Sequence, residues 1–177
     1  MFVTIRLGAR LRIGIVVLLA TVGIGCSSGS PSASTSPALP TLPGQWSGSW
    51  TASACSQTGS AAAANFCGGL TGNSLGLTIN TQNGSTVQAS LALGTAGIAY
   101  ALSGQIAASG ILTLTGQGSA FGGADTLNWE SRVSGNSMTG GFTWTVFSPP
   151  TASPGSATVT AILQGVVKVG QRALAQT

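Results

Sequence analysis

Apolar and small polar side chains alternate with a period of two in eight separate segments, and that pattern leaves little room for anything but antiparallel β-structure. In "QWSGSWTA", Trp46, Gly48, Trp50 and Ala52 alternate with Ser47, Ser49 and Thr51. The pattern returns at Leu75–Ile79, Val87–Leu93, Ile98–Leu102, Leu112–Leu114, Leu127–Val133, Met138–Val146 and Val159–Leu163. Threonine recurs on the polar side and branched or aromatic residues on the other, as a pleated, half-buried surface requires. Turn signals such as Asn83-Gly84, Gly122-Gly123 and Ser134-Gly135-Asn136 separate the segments. No stretch carries an amphipathic helix, although Ala61 to Ala64 could make one turn.

Eight strands, each with one apolar face and joined mostly by short turns, bury those faces best by closing the sheet on itself. The expected fold is therefore all-β, an eight-stranded antiparallel up-and-down β-barrel, with a β-sandwich as the alternative. In such a barrel successive connectors lie at opposite ends. The long ones, at residues 53–73, 94–97, 117–125 and 147–156, then gather at one mouth. Tight turns close the other end, where the first strand enters.

The net charge of +4 is misleading, because Arg6, Arg10 and Arg12 precede the apolar run Ile13–Gly25. Downstream, Arg132, Lys168 and Arg172 face Asp125 and Glu130, too small an excess to bind a nucleic acid backbone. The apolar run is too short to span a bilayer as a helix, and with its basic start it reads as a secretory signal. Gly23-Ile24-Gly25-Cys26 resembles the lipobox of bacterial lipoprotein precursors, with Gly23 where leucine is usual. That resemblance implies cleavage before Cys26 and acylation of its sulphur. The implied address is an exported, membrane-anchored lipoprotein, on the outer membrane or periplasmic face if the host is Gram-negative. The chain divides accordingly into a signal peptide (1–25), an acylated cysteine with a Ser/Pro-rich tether (26–43) and a β-barrel domain (44–177). In extended polyproline geometry the tether would lift the barrel roughly 50 Å from the lipid.

With Cys26 assigned, Cys55 and Cys67 remain, in an oxidising compartment. A disulfide is the natural pairing and stabilises such a loop by about 3 kcal/mol in the chain-entropy model. A metal site lacks ligands, since the chain has no histidine and no second cysteine pair.

Gly44-Gln45-Trp46 at the start of the first strand is similar to the Gly-x-Trp motif of the calycins, the lipocalins and avidins. In many lipocalins a basic side chain after the last strand packs over that tryptophan, and Lys168 or Arg172 is placed to do so here. Gly44, Trp46 and Arg172 would then mark the closed end. The resemblance implies a barrel that holds a small apolar or amphipathic molecule. Candidate lining residues are Trp50, Tyr100, Leu114, Trp129 and Trp144.

Catalysis has few resources. Without histidine there is no ordinary Ser-His or Cys-His nucleophile, and parity sends Asp125 and Glu130 to opposite faces of one strand. Gly116-Gln117-Gly118 lacks the third glycine of a dinucleotide loop, with Phe121 in its place. The chain is therefore expected to be no enzyme and to need no cofactor or metal. Strands of about seven to eight residues would be short for a membrane-spanning barrel, which needs about nine to eleven. Two functions remain. One is ligand binding inside the barrel. The other is a packed barrel whose mouth loops engage an envelope protein, which the lack of a buried charge to orient a ligand favours.

Overall fold

The computed structural model describes residues 37–70, 72–94, 98–119, 123–147 and 154–170. Cys26, the signal segment, the tether up to residue 36 and Arg172 lie outside these residues. The strands are β1 Gly44–Thr58, β2 Asn73–Asn83, β3 Thr86–Leu93, β4 Ile98–Ile106, β5 Ile111–Gly118, β6 Asp125–Ser134, β7 Ser137–Phe147 and β8 Ser156–Lys168. Each pairs antiparallel with the next, and β8 closes on β1. The result is a closed eight-stranded antiparallel barrel. Between β1 and β2 lie a short helix, α1 Gly59–Ala63, and a 3-10 turn, Phe66–Gly69.

The alternation read in the sequence becomes the inward and outward faces. Leu75, Leu77 and Ile79 of β2 and Val87, Ala89, Leu91 and Leu93 of β3 are buried, while their neighbours face out. The outer face carries Ser47, Ser49, Ser90, Thr113, Thr115, Asn128 and Glu130. An apolar interior behind a hydroxyl- and amide-rich exterior is the reverse of a membrane barrel, whose apolar band faces lipid.

Several strands are longer than the alternation implies: β1 has 15 residues, β8 has 13, and β2 and β7 have 11 each. The short-strand argument against a spanning barrel therefore fails, and the polar exterior replaces it. The physical reason is visible in β1 and β8, where Cys55–Thr58 pairs with Ser156–Val159. Along Ser53–Thr58 the β1 side chains are exposed or half-buried on both faces. Backbone pairing of β1 continues past the last apolar residue of its own alternation, while Ala157 and Val159 opposite it are still buried.

At the closed end the chain before β1 turns inward. Leu42 is fully buried in the core, and Leu39 packs beside it. The barrel thus takes in residues that composition alone assigns to the tether. Gln82, at the end of β2, clamps this segment: its Oε1 accepts the Leu42 N–H at 2.8 Å and its Nε2 donates to the Pro40 carbonyl at 2.9 Å. Trp46 Nε1 donates to the Leu42 carbonyl at 3.0 Å. The Lys168 ammonium lies 5.6 Å from the centre of the Trp46 ring and donates to the Thr41 carbonyl at 3.4 Å. Gly44 has a φ of +127°, and a Cβ there would press on Lys168 Cε at 3.1 Å. Both the backbone angle and the approach of the lysine stem require glycine at this position.

Candidate functional site

The opposite end differs in kind. Among the described residues, the buried side chains that are neither apolar nor aromatic are Asp125, at this end, and Ser131, much further along β6. Asp125 opens β6 and points inward at 1% exposure, while Glu130 faces solvent. The expectation of opposite faces holds. The expectation that the interior lacks a charged side chain to orient a ligand is overturned. Parity already placed Asp125 inward, in register with Leu127 and Trp129, but a carboxylate does not advertise itself as a core residue in a pattern scored by hydrophobicity.

Two donors meet this carboxylate. Trp144 Nε1 donates to Asp125 Oδ2 at 3.0 Å, and the Tyr100 hydroxyl donates to the same oxygen. Trp144 sits on β7, the strand next to β6, but Tyr100 must reach over β5 from β4. Gly118 makes that possible. It pairs with Asp125, and a Cβ there would stand 2.7 Å from Tyr100 Cε1 and 2.8 Å from Asp125 Oδ1. Any side chain at 118 would occupy the space through which the two groups join. The glycine pair at Gly116 and Gly118 thus makes room for core side chains, since a Cβ at Gly116 would meet Leu102 Cδ2 at 2.4 Å. Burial, followed by the hydrogen bond to Asp125 and its charge, raises the Tyr100 pKa above the usual tyrosine range. Tyr100 therefore remains a proton donor throughout the physiological range.

Below this cluster runs an aromatic column. Trp50 meets Phe142 edge-on with centroids 5.5 Å apart, and Phe142 stacks on Trp129 at 6.0 Å and 4°. Trp129 Nε1 donates to Ser131 Oγ at 2.8 Å. Trp50 Nε1, by contrast, is buried without an acceptor among the described residues. Leu114 pairs directly with Trp129 across the β5–β6 ladder. All five residues expected to line a ligand site do face the interior, with Trp50 at 3% exposure, Tyr100 and Trp129 at 2%, and Leu114 and Trp144 at 1%. Side chains facing a void wide enough for water would keep accessible surface. These five do not, so the barrel is packed around them.

The disulfide joins Cys55 of β1 to Cys67 in the 3-10 turn, with Cα atoms 5.7 Å apart. Gln57 Oε1 accepts the Cys67 N–H at 2.8 Å and braces the same closure. The segment so tied lies over the mouth. Ala61 is buried, and Cys55, Phe66 and Leu70 pack on the core. Phe66 meets Trp144 edge-on at 5.9 Å. One turn of helix in this loop was legible from its alanines; its capping of the mouth was not, because Phe66 has no periodic partner in sequence.

Outside the barrel, two shallow depressions of about 520 and 380 Å³ cross the outer face of β4 to β8, sharing Thr115 and Asn128. Their outward-facing lining is mostly threonine, asparagine, glutamine and the Glu130 carboxylate. Searches of protein-family descriptions, curated proteins and solved structures return no match to this chain.

Proposed function

We propose that the protein is an exported lipoprotein, anchored through acylated Cys26, whose barrel takes up a small apolar or amphipathic molecule at its mouth end. The observation that carries this reading is the Asp125–Tyr100–Trp144 cluster, a polar group set into a largely apolar interior at the mouth end. Ligand pockets commonly have this composition, mostly hydrophobic with a few placed polar groups. Trp50 Nε1 adds a buried donor that an acceptor on the ligand would satisfy. The role is binding rather than catalysis, with no cofactor, metal or nucleic acid partner. The resemblance of Gly44 and Trp46 to the calycin motif supports it, as does Lys168 over the tryptophan; Arg172 lies outside the described residues.

The second reading, a packed barrel that engages an envelope protein through its mouth loops, is favoured by one observation. The five lining candidates are filled in by their own neighbours. Native mass spectrometry of the full chain, isolated from its host envelope, separates the two. An added mass that vanishes on denaturation supports uptake, and it should be lost in Trp129→Ala. A clean mass together with a co-purifying protein supports the second. Lipidation is tested by Cys26→Ser, which should release the protein from the membrane fraction.

A further inference from the structure

We propose that the outer wall of β5 to β8 binds a neutral, hydroxyl-rich glycan, one sugar ring lying on the bare backbone of Gly141 between Glu130 and Ile162. This surface is separate from the interior and independent of uptake there.

The seat follows from a bulge. The β7–β8 register shifts between Met138 and Gly141. A Cβ at Gly141 would stand 2.1 Å from the Ala161 carbonyl oxygen, and one at Gly140, whose φ is +140°, 2.4 Å from that of Glu130. The bulge therefore admits only glycine at both positions. Across the ladder Glu130 of β6 pairs with Gly141, and Gly141 pairs with Ile162 of β8. A carboxylate and an apolar side chain thus flank a position that has no side chain, two strand spacings or about 10 Å apart. Glu130 is exposed and makes no ion pair among the described residues. Arg132, the next outward residue of β6, donates instead to the Ser109 carbonyl. Ile162 is 49% exposed.

The adjoining row of the same face, Thr115, Asn128, Thr143 and Thr160, is paired across all four strands and lines the larger depression. None of these four side chains is hydrogen-bonded to another group among the described residues, so each can turn to an occupant. Thr115 and Asn128 continue the track into the smaller depression, beside Gln117. The track crosses the strands of a closed barrel, which has no free edge for an added strand, so an occupant here is held by side chains.

Charge selects the class of that occupant. Among the described residues no lysine or arginine lines either depression, and the one charged group is the Glu130 carboxylate. A polyanion is repelled, and a large apolar surface meets only Ile162. A neutral sugar matches each part: its hydroxyls donate to Glu130 and exchange hydrogen bonds with Asn128 and the threonines, while its C–H face rests on Gly141 and Ile162. On the anchored reading, the chain from Cys26 to Ala38 separates the barrel from the lipid by roughly 40 Å in polyproline geometry, since Leu39 and Leu42 pack in the core. That reach sets the wall among extramembrane polymers rather than on lipid headgroups.

The test is an NMR titration of the full chain carrying Cys26→Ser with chitotetraose and with cellotetraose, both neutral. Amide shifts should gather around Thr115, Asn128, Glu130, Gly141 and Ile162. Glu130→Ala should weaken binding about tenfold, as loss of a hydrogen bond to a charged acceptor does. Ile162→Ser should weaken it severalfold, and Asn80→Ala on β2, across the barrel, should leave it unchanged; thermal melts establish that each variant is folded. Undiminished binding in both Glu130→Ala and Ile162→Ser would overturn the seat. No shifts with either glycan would overturn the proposal, as would shifts with trigalacturonate in their place, which would assign the wall to an acidic polymer. Uptake by the interior stands or falls separately, on the native mass.

Discussion

The two ends of this barrel are built on opposite plans. At the closed end, tight connectors join the strands, and the incoming chain is sealed in by the buried Leu42, the Gln82 clamp and Lys168 over Trp46. Each polar group there answers a backbone group. At the mouth, a buried carboxylate is held by Tyr100 and Trp144, under a segment tied by a disulfide and resting on the core through Phe66. The contrast separates an end whose polar groups serve its own backbone from one that buries a carboxylate among side chains. The closed end satisfies local needs with local partners. The mouth keeps a costly group in the interior and covers it with the least regular part of the described barrel, and low local stability is typical of elements that move.

The largest effect should come from breaking the closed end. Trp46→Ala removes a fully buried ring and its bond to Leu42, and should cost about 3–5 kcal/mol, read as a lower denaturant midpoint. If the midpoint hardly moves, the closed end is not the stabilising half. Next comes the mouth, where the double variant Cys55→Ser/Cys67→Ser should lose up to about 3 kcal/mol. Hydrogen exchange should show the loss concentrated in residues 55–70, with Trp46 and Leu42 still protected. Uniform loss would erase the distinction between the two ends.

Asp125→Ala should cost about 1–3 kcal/mol, because it strands two buried donors, Tyr100 and Trp144. Asp125→Asn keeps an acceptor for them and should recover most of it. Alkaline titration sharpens the same point. Tyr100 has its pKa raised by folding, so its contribution is complete below the ordinary tyrosine value of 10.0 and is lost as pH rises beyond it. Stability should fall above about pH 10, and Tyr100→Phe should show a shallower fall. Matching alkaline curves would show that Tyr100 is not the group being titrated. The smallest effect belongs to Lys168→Met, at about 0.5–1 kcal/mol for a cation resting on an indole face. A thermal melt in low salt measures it.

Much of the fold was readable because strand parity is a local property. Trp50, Tyr100, Leu114, Trp129 and Trp144 were assigned inward from their neighbours alone, and all five face inward. Asp125 obeyed the same parity but was read as part of a connector, since the apolar pattern begins only at Leu127. Leu42 was missed for a related reason: it precedes the first strand, amid prolines, where no alternation marks a buried face. The candidate site was harder still. Tyr100 and Asp125 lie 25 residues apart on strands that are not neighbours, and they meet only because Gly118 leaves the intervening strand bare.

By itself the sequence determined the class of the barrel, the inward and outward faces of its strands, and the pairing of Cys55 with Cys67. Those features follow from a period of two and from counting, which any short window of chain expresses. The tertiary structure decided which ends the side chains reach, how far β1 runs on past its apolar alternation, and that Phe66 comes to rest on Trp144. It also decided that the interior is filled at Trp50 and Trp129. Packing is a sum over residues brought together from all eight strands, and no local pattern carries that sum.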